Sequence, residues 1–316
     1  MNITNKYNLP DSIFDALKGR DFNLADTPDN IFWLTKLINA PICAVLEKRH
    51  WAELEEDVSE KVFRIMGQGV HSIVENNQDN SQRLSEEKAY VDIETMTVYT
   101  LPLKAKMKEQ AWYSDDKIFL SLRLDCYDGK DKFVEDYKVT TAWQVIIEGK
   151  PKDEWIAQNS IAAWVLRKIG FEVLGMRNIL FLRDWQKSKV GTDPKYPSIP
   201  IFIYSLNGFW DNNLTEKYIR ERIKLHVKAM ALPDDKITPC TVEERWGKKE
   251  VWAVMKEGRK TAIKLYDSPT EAKFHVSEDV TGKIYVEHRP GQDVKCDSYC
   301  SVNRFCSYYK NKKGVK

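Results

Sequence analysis

The sequence lacks the bulk features that would assign it to a class at sight. It carries almost no net charge: 49 lysines and arginines stand against 47 aspartates and glutamates, leaving +2. No global positive field therefore draws in a polyanion, and any nucleic-acid contact has to be local. No apolar run approaches the length of a bilayer span without charges, and the opening Met1-Asn2-Ile3-Thr4-Asn5-Lys6 lacks the apolar stretch of a secretory signal. The expectation is an intracellular protein with no membrane partner. Internal repeats and low-complexity blocks are also missing, so the chain reads once from end to end. What is present is 42% hydrophobic and 30% charged residues over 316 positions. That is the composition of a globular protein long enough for one full core and an appended module.

Cysteine is sparse and unevenly placed. In a reducing compartment six cysteines do not suggest a disulfide framework, which small secreted domains need and large intracellular ones do not. Cys43 and Cys126 stand alone, whereas Cys240, Cys296, Cys300 and Cys306 all fall in the last quarter. Three thiols within one short segment point to a metal rather than to independent buried cysteines.

Periodicity supplies the outline. Asp11-Ser12-Ile13-Phe14 opens a short helix, and Thr27-Pro28-Asp29-Asn30 makes a turn before Ile31-Phe32-Trp33-Leu34. Leu54, Val58, Val62, Ile65, Met66, Val70, Ile73 and Val74 recur at helical spacing, which predicts one long helix over 51–75 with a single buried face. Strand-like runs follow at 97–101, 118–122 and 133–137, the last two joined as a hairpin through Tyr127-Asp128-Gly129-Lys130-Asp131. A helix over 152–169 stops near Gly170 and leads to strands at 179–182 and 201–204, separated by a loop over 186–200, and then to a helix over 214–230. The expected fold is an α/β core. Its divisions are an entry segment over 1–48, a core over 49–205, and a C-terminal region over 206–316 holding a helix, a basic hairpin and the cysteines.

Two stretches carry candidate chemistry. In the first, Gly67, His71 and Glu75 lie four residues apart and share one helical stripe. Gly67 costs the helix roughly 1 kcal/mol relative to Ala, a cost best understood if another backbone comes close there. In the second, Asp125 ends a β-rich run and Asp136-Tyr137-Lys138 lies on the return strand. Two carboxylates near one end of a sheet form a hard oxygen site suited to Mg²⁺ or Mn²⁺. Asp136 and Lys138 are two apart and share a face, with Tyr137 on the other. A lysine beside a bound metal can hold and help deprotonate an attacking water while the metal polarises a phosphate. Taken alone, an Asp-x-Lys is more often a surface ion pair, and a single histidine more often a packed one. Their joint order carries the signal.

That order, Gly-x-x-x-His-x-x-x-Glu, then an aspartate at a strand end, then hydrophobic-acidic-x-Lys followed by Thr140-Thr141, resembles the RecB-type branch of the PD-(D/E)xK nucleases. The branch includes phage-encoded and CRISPR-adaptation nucleases, and the resemblance covers about residues 60–170. It implies a restriction-endonuclease-like core, a central mixed sheet flanked by helices, with a C-terminal cysteine-ligated metal region. It implies His71, Asp125, Asp136 and the Tyr137 carbonyl as ligands of Mg²⁺ or Mn²⁺, Lys138 as the residue that activates water, and Glu75 as an assisting carboxylate. The branch also places a glutamine on the following helix, usually with a tyrosine four residues on. Gln158 matches, but Ala162 stands where the tyrosine would, so only Gln158 is carried over. Trp164 reads as core packing.

Four thiolates can hold a [4Fe-4S] cluster or a tetrahedral Zn²⁺, and spacing alone does not choose. The resemblance favours iron with Cys296, Cys300, Cys306 and one distant cysteine. Relatives place the distant ligand before the Gly-x-x-x-His helix, where Cys43 stands. The Cys240-Thr241-Val242-Glu243-Glu244-Arg245-Trp246 entry resembles a tail of phage-encoded nucleases and makes Cys240 the preferred ligand. Strands at 251–255 and 261–266 around Lys256-Glu257-Gly258-Arg259-Lys260 form a basic hairpin suited to phosphates, and Lys310-Asn311-Lys312-Lys313 reads as a frayed tail. The function expected by resemblance is metal-dependent hydrolysis of DNA, exonucleolytic, in phage recombination or DNA processing within the bacterial host cytoplasm. A single-strand annealing or other recombination protein and a homo-oligomer are the further partners it implies. The alternative is a catalytically inactive nucleic-acid-binding or assembly module with a structural metal.

Overall fold

Val134, Asp136 and Lys138 alternate with Glu135, Tyr137 and Val139, the period of a strand whose two faces differ. In the computed structural model they form the middle of a sheet. The structure describes residues 1–19, 23–76, 83–85, 88–101, 106–206, 208–280 and 282–314. The elements that position the candidate site are α1 (Val62–Asn76), β1 (Cys126–Asp128), β2 (Phe133–Thr140), α2 (Asp153–Lys168), β3 (Gly175–Leu182), β4 (Ile201–Leu206) and α3 (Asn212–Met230). The sheet runs in the order β4-β3-β2-β1 and ends on the short strand Arg83–Ser85. β2 and β3 are parallel, with α2 as their crossover, and the other pairings are antiparallel. A second, four-stranded sheet orders Ile31–Trp33, Phe119–Arg123, Lys88–Asp92 and Val98–Leu101. The fold of this unit is therefore α/β, with mixed sheets flanked by helices.

The core explains the crossover. Ile161, Ala162, Ala163, Trp164, Val165 and Leu166 are all buried, so this part of α2 is apolar on every side and lies inside the unit, as such a helix must. It packs with Val134 and Met176 of the sheet and with Ile219 and Ile223 of α3. Trp164 is fully buried and donates its indole N–H to Glu216 at 3.2 Å, in agreement with a packing role. Gly175 opens β3 opposite Phe133, and a Cβ there would stand 2.4 Å from the Phe133 ring.

Several expectations are corrected. The predicted helix over 51–75 is shorter, 15 residues from Val62: a 3-10 turn at Trp51–Glu53 and a strand at Glu55–Asp57 precede α1. The strand forms because Asn2–Thr4, more than fifty residues earlier, offers it a parallel partner, and Asp57 then caps the next turn through the Ser59 amide. Nor does α1 bury an apolar face, since Val62, Phe63, Met66 and Ile73 are all exposed. The expected hairpin also divides: Phe119–Arg123 belongs to the second sheet, and the short β1 is the strand that pairs with β2. Asp125 lies between those two strands rather than in either.

The compact units are Met1–Ala231 and Leu232–Lys316. The expected boundaries at 48 and 205 differ from this division because Leu34 and Leu37 join the main core and α3 packs against α2. The second unit holds an antiparallel sheet of Lys264–Tyr266, Val251–Lys256 and Ile284–Arg289, the helix Pro269–Ser277, and the cysteine segment. Its end is not a frayed tail. Ser307–Lys313 is helical, with Lys312 bonded to Asp293 and Lys313 to Asp297. Among the described residues no helix is long and apolar enough to cross a membrane.

Gly175→Ala is expected to lower stability by about 1–3 kcal/mol through overpacking against Phe133. Denaturant unfolding checks this, and an unchanged midpoint would contradict the packing described.

Candidate active site

Parallel pairing puts residues in register on the same face, and the register of β2 with β3 sets Asp136 beside Asn178. The Asn178 amide donates to Asp136 Oδ2 at 2.9 Å. Lys138, two residues on, turns its ammonium back to Asp136 Oδ1 at 2.6 Å and to Gln158 Oε1 on α2 at 3.3 Å. Both oxygens of Asp136 are thereby engaged at a position only 2% exposed. On the opposite face the same register pairs Glu135 with Arg177 at 3.0 Å.

Asp125 approaches from the turn before β1. Its Oδ2 accepts the Tyr137 amide at 3.4 Å and its Oδ1 lies 3.7 Å from His71 Nδ1. The other imidazole nitrogen, Nε2, is 3.1 Å from the Tyr137 carbonyl, with the His71 ring set edge-on to the Tyr137 ring at 5.8 Å. His71, Asp125, Tyr137 and Lys138 line one cleft of about 590 Å³ with Phe63, Gly67 and Arg123. Asp136 and Gln158 lie just behind, lining a small void that Asp125 shares. Glu75 is in α1, but its side chain falls outside what is described.

Electrostatics make this an unbalanced site. Burial raises the Asp125 carboxyl above its usual range, against the pull of Lys138 and the Tyr137 amide. Burial likewise pushes Asp136 up from 3.8 to about 6, with Lys138 opposing and the Asp125 charge adding to the rise. The two carboxyls act on each other in opposite senses, Asp136 favouring the charge on Asp125 and Asp125 opposing the charge on Asp136. Two buried carboxylates this close resist ionising together.

Asn178 was missed by the sequence reading. Nothing in the motif marks it, and only the β2–β3 register brings it to Asp136. Its Oδ1 is buried and without a hydrogen-bond partner. That orphaned oxygen, two carboxylates, an imidazole and the Tyr137 carbonyl form a donor set of hard oxygen and borderline nitrogen, whose chemistry fits Mg²⁺ or Mn²⁺. The contacts are pairwise: among the described residues no three or more His, Cys, Asp or Glu side chains are gathered as a formed metal cage.

In the second unit the Cys240 entry is organised locally. The Thr241 amide donates to Glu244 at 2.9 Å and the Glu244 amide to the Thr241 hydroxyl at 3.2 Å, a reciprocal cap. The Arg245 guanidinium donates to the Cys240 carbonyl and to Asp293 Oδ1 and lies over the Tyr308 ring, while the Arg245 carbonyl accepts from the Lys295 amide. Burial works against the Asp293 charge, but Lys312, Tyr308 and Arg245 hold its carboxyl below the usual range. Asn303 donates to the Cys296 carbonyl at 2.8 Å.

No disulfide links any of the six cysteines. Burial pushes the Cys296 thiol up to about 11, and Cys300, Cys240 and Cys306 all bear on it electrostatically. Burial raises Cys306 too, with Cys240 and Cys300 again among its neighbours. Cys240 thus shares one neighbourhood with the three late cysteines. Cys43 lies on the helix Pro41–Arg49 of the other unit. Thiols that oppose one another's ionisation suit a soft or borderline cation, whose charge reverses that balance.

No family model matches the chain, and no curated protein matches it. Among solved structures, that of SSO0001 aligns over 67% of this chain and 82% of its own at 14% sequence identity, with a TM-score of 0.40. At that score the likeness carries no inference about fold or function.

The Asp136 carboxyl holds its proton more tightly in the folded state than in the unfolded one, so its contribution to stability is whole below about pH 4. It is lost as pH rises through about 6. In chelator, wild type should lose stability between those values relative to Asp136→Asn, which keeps a neutral side chain throughout. Thermal melts across this range check it, and a difference independent of pH would contradict it.

Proposed function

We propose that the chain is a divalent-metal-dependent deoxyribonuclease with a restriction-endonuclease-like core, and that it hydrolyses phosphodiester bonds as an exonuclease. The observation that carries this reading is the convergence of His71, Asp125 and Lys138 on one open cleft, with Asp136 buried behind them and bonded to Lys138 and Asn178. Mg²⁺ or Mn²⁺ held there by His71, Asp125, Asp136 and the Tyr137 carbonyl would supply a Lewis acid and a more acidic water.

The side chains account for the rest. Asp136, fixed at both oxygens, cannot rotate away from the cleft. Lys138 keeps an ammonium beside the phosphate position, where it orients the nucleophilic water and offsets charge developing on the phosphoryl oxygens. Gln158 limits the reach of Lys138 by accepting its second hydrogen bond. Arg123 in the lining gives the local positive charge that the near-neutral chain does not supply globally.

We further propose a structural [4Fe-4S] cluster or Zn²⁺ ligated by Cys240, Cys296, Cys300 and Cys306. Its role would be to tie the Cys240 entry to the C-terminal helix in a unit whose own core is small.

Cleavage of end-labelled linear and circular DNA with Mg²⁺ or Mn²⁺ tests the enzyme. Wild type should degrade linear DNA, while Asp136→Ala and Lys138→Ala lose about a hundredfold or more in kcat. Binding without cutting by wild type would favour an inactive binding module instead. Anaerobic purification with metal analysis tests the second site: Cys240→Ser should lose the metal and Cys43→Ser retain it, and the reverse would reassign the distant ligand.

A further inference from the structure

Three residues of α1 line the cleft one helical turn apart: Phe63, Gly67 and His71. Their chemistry differs in a way that packing within the chain does not explain. Phe63 is 55% exposed although it is large and apolar. It is not loose, because the Arg183 guanidinium lies 3.5 Å from its ring centroid, and Arg183 is itself anchored where its amide bonds the Thr140 carbonyl at the end of β2. Gly67 weakens the helix by roughly 1 kcal/mol, yet a Cβ there would meet nothing within 4 Å. The close backbone approach expected from the sequence is absent among the described residues. The room at Gly67 opens instead into the cleft.

We propose that Phe63 and Gly67 seat the nucleotide next to the scissile phosphate: Phe63 stacks on an unpaired base, and the bare backbone at Gly67 admits the sugar-phosphate chain between that ring and His71. The assignment rests on the nuclease reading and deepens it by naming single-stranded DNA, or a frayed end, as what the cleft takes. A guanidinium on one face of an aromatic ring fixes its orientation, and base stacking on such a platform is worth about 1–3 kcal/mol per base. An internal base of a duplex has both faces covered, and reaching one costs a few kcal/mol of unstacking. The platform therefore discriminates against duplex. Gly67 is a positioning residue in this account, since any side chain would occupy the path between the base and the site that cleaves.

Two measurements test this separately from catalysis. The first is fluorescence anisotropy of a short oligothymidylate and of a blunt duplex with the full-length protein in chelator. Phe63→Ala should weaken oligothymidylate binding about tenfold or more and Phe63→Tyr restore it, with wild type preferring the single strand. The second is steady-state cleavage of the same single strand with Mn²⁺. Phe63→Ala should raise KM with kcat changed by less than about threefold, and Gly67→Leu should cut kcat/KM by about a hundredfold while raising Tm. Gly69→Ala, a helix substitution outside the cleft lining, should raise Tm and leave cleavage unchanged. Wild-type affinity for oligothymidylate in Phe63→Ala, full activity in Gly67→Leu, or a wild-type preference for blunt duplex would overturn the proposal. An uncleaved substrate that still binds through Phe63 would overturn only the nuclease reading.

Discussion

The parallel pairing of β2 with β3 is the constraint on which the site depends. It fixes Asp136 beside Asn178, and with the return of β1 it brings Asp125 and Asp136 to one small void. Burial alone would neutralise both acids, and Lys138 opposes that by standing against one of them. The result is a pair of buried carboxyls held in one geometry by backbone register, with Lys138 standing against one of them.

The site is held from several directions, which makes its geometry hard to deform. α2 reaches in with Gln158 and is itself locked by a continuously buried stretch, Asn159 to Leu166. α1 brings His71 to the Tyr137 carbonyl while leaving Phe63 and Met66 exposed. A rigid helix behind the carboxylates and an exposed helix in front of them divide the work. One fixes the positions of the buried polar groups, and the other borders the cleft. In the second unit Arg245 plays a comparable organising part, joining the Cys240 carbonyl, Asp293 and the Tyr308 ring through one planar side chain.

How much of this the sequence made legible depended on how local the cause was. The strand around Asp136 was readable because its alternation is written in neighbouring residues, and the position of Gln158 followed from its helix. The strand Glu55–Asp57 was not, because its partner is Asn2–Thr4 and local periodicity favoured helix. The apolar spacing of α1 was real but ambiguous: Val62, Met66 and Ile73 give the same period whether the stripe faces a core or is left exposed. Asn178 was invisible for a different reason, since a parallel register is a property of two strands and a crossover. The late cysteines were legible as a group because three of them are close in sequence; Cys240 joins them only through the fold, bearing electrostatically on Cys296, and among the described residues they are not gathered as a formed metal cage.

The central claim is that His71, Asp125 and Asp136 share one hard cation. Calorimetric titration of Mn²⁺ into the full-length protein near pH 6, in buffers of different ionisation enthalpy, addresses it without reference to turnover. The account predicts binding to the first unit's site with release of about half a proton from Asp136, abolished by Asp136→Asn. Binding of equal strength and proton stoichiometry in wild type and variant, or no binding to either, would contradict it.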